Sequence, residues 1–584
     1  MLEFSSRRIA LSISFGLLFL SQPSYSQSDY FTGAVLDSAQ YEKVNKSAPL
    51  SRGDFDVPMR FSLKKYAPTP GNQGRQGSCV GWATAYAART ALEASQKSIS
   101  NKSKVNEYRL SPAYVYNNVR ANDQCEGSYI SSALSFIQNN GVAPLSHFKY
   151  SDKSCVSIPS DSLRKVALPY RIGSYERLFN SGSMAKHVKV RQVLAKGYPV
   201  VIGMFIPEDS GFYDTKSLWV PTQLDVDNLA ANRAGGHAMT VVGYDDKKYG
   251  GAFEVINSWG TNWGDGGFFW ISYSSFNKFV FEGYAMYPVA PPAPKVLPVK
   301  PKVDLNASVK FIHLDGNELK LASTNSASVS KMIPSLPSGS LFRTEVHSKQ
   351  ASFVYILGGD STGKFVELFP GKKGLSPQLP SFSTMLIPGP TEEYFTKLDN
   401  SVGQDVYLTL ISRIPINSKS VLDKLNRERG SLDKRLKASI GDRLVIDKNI
   451  IKSNGNEFEA ATLGNGVLAH VTYINHVGFD QGYRDVSKPK IVITRPTIDS
   501  VDLNGGDGLP VTVKDGVFEI QGFAQDVSSI KDIRITGLDS IRFNSKGRFI
   551  ATIEANGETK KSLTIEAIDE HNNVSSETFV FNLK

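Results

Sequence analysis

The stretch "YPVAPPAPKVLPVKPKV" (287–303) carries six prolines in 17 residues. Proline fixes its own φ and lacks an N–H, so no helix or central strand runs through such a run. It reads as an extended linker at 289–303 that cuts the 584-residue chain into units folding separately. The units expected are a signal segment at 1–26, an N-terminal extension at 27–55, and a domain at 56–288. Beyond the linker come a β-rich domain at 304–487 and a small sandwich at 488–584.

Arg7 and Arg8 precede the apolar run "IALSISFGLLFL" (9–20), and Ser24 and Ser26 suit cleavage before Gln27. The run is short for a bilayer, so the mature chain is expected to be exported, periplasmic or extracellular, without a membrane span. Hydrophobic residues make up 41% and charged residues 21%, ordinary for globular protein. The net charge of +10 is spread without a Lys/Arg block, which argues against nucleic acid as a partner.

Residues 79–95, 111–120 and 128–141 read as helices, the second opening on Ser-Pro and the third ending at glycine. "YPVVIGMFI" (198–206), "HAMTVVGY" (237–244), "AFEVINSW" (252–259) and "GFFWISY" (267–273) read as strands. Helices followed by strands predict an α+β domain of two lobes. In the β-rich domain, 351–371 reads as a hairpin, 404–412 as a strand and 418–441 as one polar helix. Runs about ten residues apart after 488 predict an antiparallel sandwich. Asp526, Asp569, Glu570 and Asn573 read as polar turn residues rather than a calcium site.

The three cysteines are Cys79, Cys125 and Cys155. An odd number in an exported chain leaves one thiol over. Pairing Cys125 with Cys155 leaves Cys79 free; three buried thiols is the alternative. Cys79 stands in "GNQGRQGSCVGWATAYA" (71–87), where a glycine-rich loop becomes a helix. A thiol attacks a carbonyl as thiolate, and a helix N-terminus and a nearby imidazole both favour that form. Gln73 could donate its amide to the oxyanion, together with the Cys79 N–H. Of eight histidines, only His237 sits beside two glycines, Gly235 and Gly236, ahead of a stiff apolar strand. Asn257 ends the next strand and could orient the ring; Trp259 could shield that bond.

The segments "NQGRQGSCVGWA" (72–83), "CEGSYISSAL" (125–134), "GVAPLSHFKY" (141–150), "GGHAMTVVGYDD" (235–246) and "NSWGTNWGDGGFFWI" (257–271) resemble the papain-like cysteine peptidases, particularly their bacterial branch. The resemblance implies a helical lobe and a β-barrel-like lobe, with hydrolysis of peptide bonds through an acyl-enzyme. Cys79 would be nucleophile, His237 base then acid, Asn257 its orienter and Gln73 the oxyanion donor. Gly127, Ser128, Tyr129, Gly235 and Gly236 would bind substrate, and Cys125–Cys155 would correspond to a family disulfide. No cofactor or metal is implied. The family's cysteine three residues before the nucleophile is here Gln76. The 29 residues between signal and domain are too few for the family's long helical inhibitory prosegment, which argues against zymogen control. Residues 304–487 loosely resemble a β-rich domain found beside bacterial peptidases, and 488–584 a bacterial Ig-like sandwich. Neither shows a catalytic constellation; both are expected to bind a substrate, a partner or the cell envelope. The weighed alternatives are a cell-wall peptide amidase of the same Cys-His chemistry and a dormant scaffold.

Overall fold

The computed structural model describes residues 30–583 except 49, 51–56, 184, 290–302, 315, 361, 372–373, 390–394, 446–448, 455, 479–487, 496–508, 512, 527, 539–540 and 545–546. The expected signal segment and nearly all of the proline linker lie outside the described residues. Among the described residues, no helix is long and apolar enough to cross a membrane.

The helical lobe is built on one continuous helix that starts at Cys79. It runs through Cys79–Gly81, a π-helical stretch Trp82–Arg89 and Thr90–Gln96. Its small residues, Ala83, Ala85, Ala87, Ala88, Ala91 and Ala94, are all buried. Alanine has the highest helix propensity and no bulk, so the helix can be covered on every side. Pro112–Val119 and Ile130–Asn140 pack beside it. Ser111 caps the first, its Oγ accepting from Tyr114 N–H at 3.0 Å. Gly141, at φ +73°, ends the second.

The β lobe is an eight-stranded sheet. Its order is Ile172–Arg177, Val280–Pro288, Val200–Pro207, Ala234–Asp245, Ala252–Ile256, Phe268–Ser272 and Leu218–Trp219, with Arg60–Ser62 also paired to Ala234–Asp245. Its strands read as nearly continuous apolar runs because both faces are buried; Val200, Val201, Ile202, Val241, Val242 and Phe253 lie in the core shared with the helical lobe. The lobes also meet through a hydrogen bond, Thr240 Oγ1 donating to Ala83 O at 2.9 Å.

The β-rich domain forms a 14-stranded sheet system with its own core, which includes Leu305, Phe311, Phe342, Ile356 and Ile411. The expected single helix at 418–441 is two, Ser418–Arg427 and Leu432–Ile440. Gly430 at φ +108° turns the chain, and Ser431 caps the second helix through Lys434 N–H. At the C-terminus, a three-stranded and a four-stranded sheet close on one core, including Ile520, Ile533, Ile565 and Phe581.

The N-terminal extension is not a free tail. Residues 30–37 cross the junction of the two lobes. The short helix Ser38–Lys43 then docks through Tyr41, which is fully buried with its hydroxyl on the backbone of Gly283. Residues 44–48 and Leu50 continue between the two-lobed domain and the β-rich domain.

Candidate active site

Cys79 sits at the first turn of the central helix, fully buried and unpaired with another cysteine. Its Sγ accepts a hydrogen bond from Ala238 N–H at 3.4 Å, which brings it against the strand Ala234–Asp245 beside His237. His237 Nε2 and Asn257 Oδ1 are 2.8 Å apart. Ser258 N–H also donates to Asn257 Oδ1, at 2.7 Å. An atom accepting from a backbone N–H is oxygen, so Nε2 carries the proton and Nδ1 keeps the lone pair. Nδ1 is buried without a hydrogen bond, the position in which a base can take a proton. Trp259 stacks on the His237 ring at 4.8 Å.

Gln73 lies in the same loop, fully buried. Its Oε1 accepts from Ser258 Oγ at 2.6 Å and its Nε2 donates to Gln76 O at 2.8 Å. Tyr150 braces this loop, its hydroxyl lying 2.6 Å from Ser78 Oγ and 2.7 Å from Gln73 O. Gln76 adds contacts to Tyr150 and Ser151 O. Tyr150 and Ser258 escaped the sequence reading because a hydroxyl reaching a loop 77 or 185 residues away leaves no local pattern. Cys125 and Cys155 are joined, with S–S 2.11 Å and Cα–Cα 5.9 Å.

The substrate-binding candidates are occupied by the chain itself. Ser128 pairs on both sides of Ala34: Val35 N–H donates to Ser128 O, and Ser128 N–H to Gly33 O, each at 3.0 Å. The N–H groups of Gly33 and Ala34 both reach Gly236 O, at 3.0 and 2.9 Å. Gly127 and Gly235 back onto Gly33 and Thr32, while Tyr129 caps the helix Ile130–Asn140 and is half-buried. Gly33 is required here, since a Cβ would run into the carbonyl of Gly77. Leu36 fills the space above Gly203, beside Ile130 and Glu282. Tyr30 stacks on Trp259 at 4.9 Å, and Trp259 Nε1 donates to Phe31 O at 3.0 Å. A short extension therefore covers the site, contrary to the argument from its length; an extended backbone needs only about 3.3 Å per residue to line a cleft, and no helical domain.

The covered site is electrically quiet. Burial pushes the Cys79 thiol up to about 12, against the pull of N–H groups from Ala238, Val80, Cys79 and Ala34. Burial lowers His237 to about 4, with Asn257 opposing. The expected benefit of the helix N-terminus is outweighed here by loss of solvent. The Ala34 N–H of the covering segment acts on the sulfur, and its Gly33 and Phe31 carbonyls accept from Ser128 N–H and Trp259 Nε1.

A second constellation appears where the sequence reading finds none. In the β-rich domain Ser338 Oγ lies 2.9 Å from His476 Nε2, and His476 Nδ1 lies 2.9 Å from Asp405. All three are buried, and the N–H groups of Ser338, Gly339 and Ser340 are bonded to Val477, Leu398 and Pro337 carbonyls. With those backbone donors taken, it acts as a strut between strands. Asp569, weighed for calcium, instead holds a turn by accepting from Asn573 N–H and Nδ2 at 2.8 and 2.7 Å. Among the described residues no group of three or more His, Cys, Asp or Glu is placed to hold a metal.

Residues 58–289 match the model of the papain family cysteine proteases. The match is confined to this segment, less than half of the chain. Cysteine proteinase 3 of Entamoeba histolytica is 29% identical over 207 residues, covering 35% of this chain and 60% of that protein. Mouse cathepsin K is 24% identical over 280 residues, covering 47% and 72%. Among solved structures, xylellain, a cysteine protease from Xylella fastidiosa, aligns at 23% identity and TM-score 0.37, covering 45% of this chain and 97% of its own. The chain thus spans about 60% of the Entamoeba relative's length, and much of it lies beyond the papain domain.

Proposed function

We propose that this chain is an exported cysteine endopeptidase that is latent while residues 30–37 fill its cleft. The observation that carries the reading is Cys79 Sγ held by the N–H of Ala238, the residue after His237, with the His237 tautomer fixed by the bond to Asn257 Oδ1. Once the cleft opens and water enters, the Cys79 proton passes to His237 Nδ1. The thiolate adds to a peptide carbonyl, and the oxyanion is met by Cys79 N–H and the second N–H of Gln73 Nε2. His237 returns the proton to the leaving amine. Water, activated by the same ring, releases the acyl group. Ser128 and Gly236 offer an extended substrate the backbone groups that now hold residues 33–35, and Gly235 leaves room beside Thr32.

The test compares the wild-type chain, Cys79→Ala and Gly33→Leu. Gly33→Leu should drive the segment from the cleft, because its side chain meets Gly77. Expected results are cleavage of an unfolded protein and epoxysuccinyl labelling at Cys79, both faster in Gly33→Leu and both absent in Cys79→Ala. Cleavage of peptidoglycan stems alone would establish the amidase reading instead. A Gly33→Leu chain that neither labels nor cleaves would make the domain a dormant scaffold.

A further inference from the structure

The segment in the cleft continues into a strap shared by two domains. Lys46 is its centre. On one side Arg177 N–H donates to Asn45 O at 3.0 Å, and Ser47 N–H to Arg177 O at 2.8 Å. On the other, Lys46 N–H donates to Gly374 O and Ser376 N–H to Lys46 O, both at 2.7 Å. Lys46 is therefore a one-residue middle strand, bridged to Arg177 of the catalytic region and to Leu375 of the β-rich domain. The strand it covers, Ile172–Arg177, is the edge of the eight-stranded sheet. Two and four residues on, Ala48 and Leu50 are 2% and 4% exposed, and both belong to the core of the β-rich domain. Leu50 pairs with Met385, and Lys189 Nζ from the catalytic region donates to Ala48 O at 3.0 Å.

We infer that the β-rich domain is the clamp of the latch: its hold on residues 46–50 keeps residues 30–37 over Cys79. Two features make the coupling physical. The link from strap to cleft is short, passing through one helix of six residues anchored by Tyr41. Ala48 and Leu50 lie in the β-rich core, so much of the burial that favours the strapped state at 46–50 belongs to that domain. Direct polar contacts between the domains include Ser174 Oγ donating to Gln378 Oε1 at 2.8 Å and Lys196 Nζ to Phe382 O at 2.6 Å. A ligand or surface that draws the β-rich domain away would thus loosen the strap and open the cleft. The chain would then be switched on by what its β-rich domain meets, without a cut. The inference rests on reading Cys79 as the nucleophile of a covered site.

The experiment uses the full chain carrying Leu50→Asp, which places a charge in the β-rich core, and independently Lys46→Pro, which removes the N–H given to Gly374. Labelling of Cys79 by an epoxysuccinyl reagent should accelerate by about twofold to tenfold in each, the scale of one net hydrogen bond. Amide exchange at Gly33, Ala34 and Val35 should accelerate in parallel. Tryptophan fluorescence checks that the catalytic domain is intact, since all five tryptophans lie within 82–270. Gly33→Leu is the control. If it speeds labelling while both strap variants, folded, label and exchange as wild type, Tyr41 alone holds the latch and the clamp is refuted. If Gly33→Leu also fails to label, the peptidase reading fails first, and unchanged amide exchange in the strap variants separately refutes the clamp.

Discussion

Glu282 shows how much one covered residue can report. Its Oε1 accepts from Asp37 N–H at 3.2 Å and its Oε2 from Tyr284 hydroxyl at 2.9 Å, beneath Leu36. Burial pushes its carboxyl up to about 7, despite those two hydrogen bonds. Opening the cleft returns it to solvent and toward its ordinary value near 4.5. A group with the higher pKa in the closed form favours that form fully below 4.5 and loses the contribution as pH rises through about 7. The ratio of wild-type to Glu282→Gln labelling rates at Cys79 should therefore climb by about tenfold or more between those limits and level off above. Titration of Cys79 and His237 is common to both chains and cancels. A flat ratio would mean that Glu282 stays buried when the cleft opens. Nothing in the sequence singled out this glutamate, because its setting is made by a segment 245 residues away. Cys79, Gln73, His237 and Asn257 were legible for the opposite reason: glycine loops, a helix start and strand ends mark their places locally.

Among the elements, the cleft loop 122–128 is held by two kinds of bond. Cys125 is tied to Cys155 across 30 residues, and Cys125 O accepts from Gly77 N–H at 3.0 Å, two residues before Cys79. Closing such a loop restricts the unfolded chain by about 3–4 kcal/mol. Cys155→Ser should lower the stability of the catalytic domain by about that amount, read from tryptophan fluorescence in urea. The substitution should also loosen Ser128, the backbone partner of residues 33–35, and so speed exchange of their amides. Unaltered stability would mean that Gly77 and Tyr116, whose hydroxyl accepts from Gly127 N–H at 3.1 Å, suffice to hold the loop. The central helix and the strands around His237 were readable because burial, propensity and turn residues agree there. The extension was not. Residues 30–48 and Leu50 gain their structure from partners in both domains, and their own sequence has no period to announce it. The break at Gly430 was missed for a different reason: apolar spacing continues across it while the backbone does not.

At the scale of the whole molecule, the catalytic domain carries both C-terminal domains, and the clamp makes different demands of each. The β-rich domain shares the strap, whereas the terminal sandwich reaches the catalytic domain elsewhere. Ala185, just before the helix Lys186–Ala195, lies in the sandwich core, with Val188 packed against it. Among the described residues, none of the strap belongs to that core. Ala185→Glu should therefore detach the sandwich without touching the latch, because it places a charge among Ile491, Leu563 and Phe581. The radius of gyration from solution scattering should rise, while Cys79 labelling keeps its wild-type rate. Leu50→Asp should give accelerated labelling, and the contrast between the two variants separates a specific clamp from a general loosening of the chain. Accelerated labelling in Ala185→Glu would show instead that the cleft responds to any loss of domain packing, and control would then belong to the assembled molecule and not to the strap.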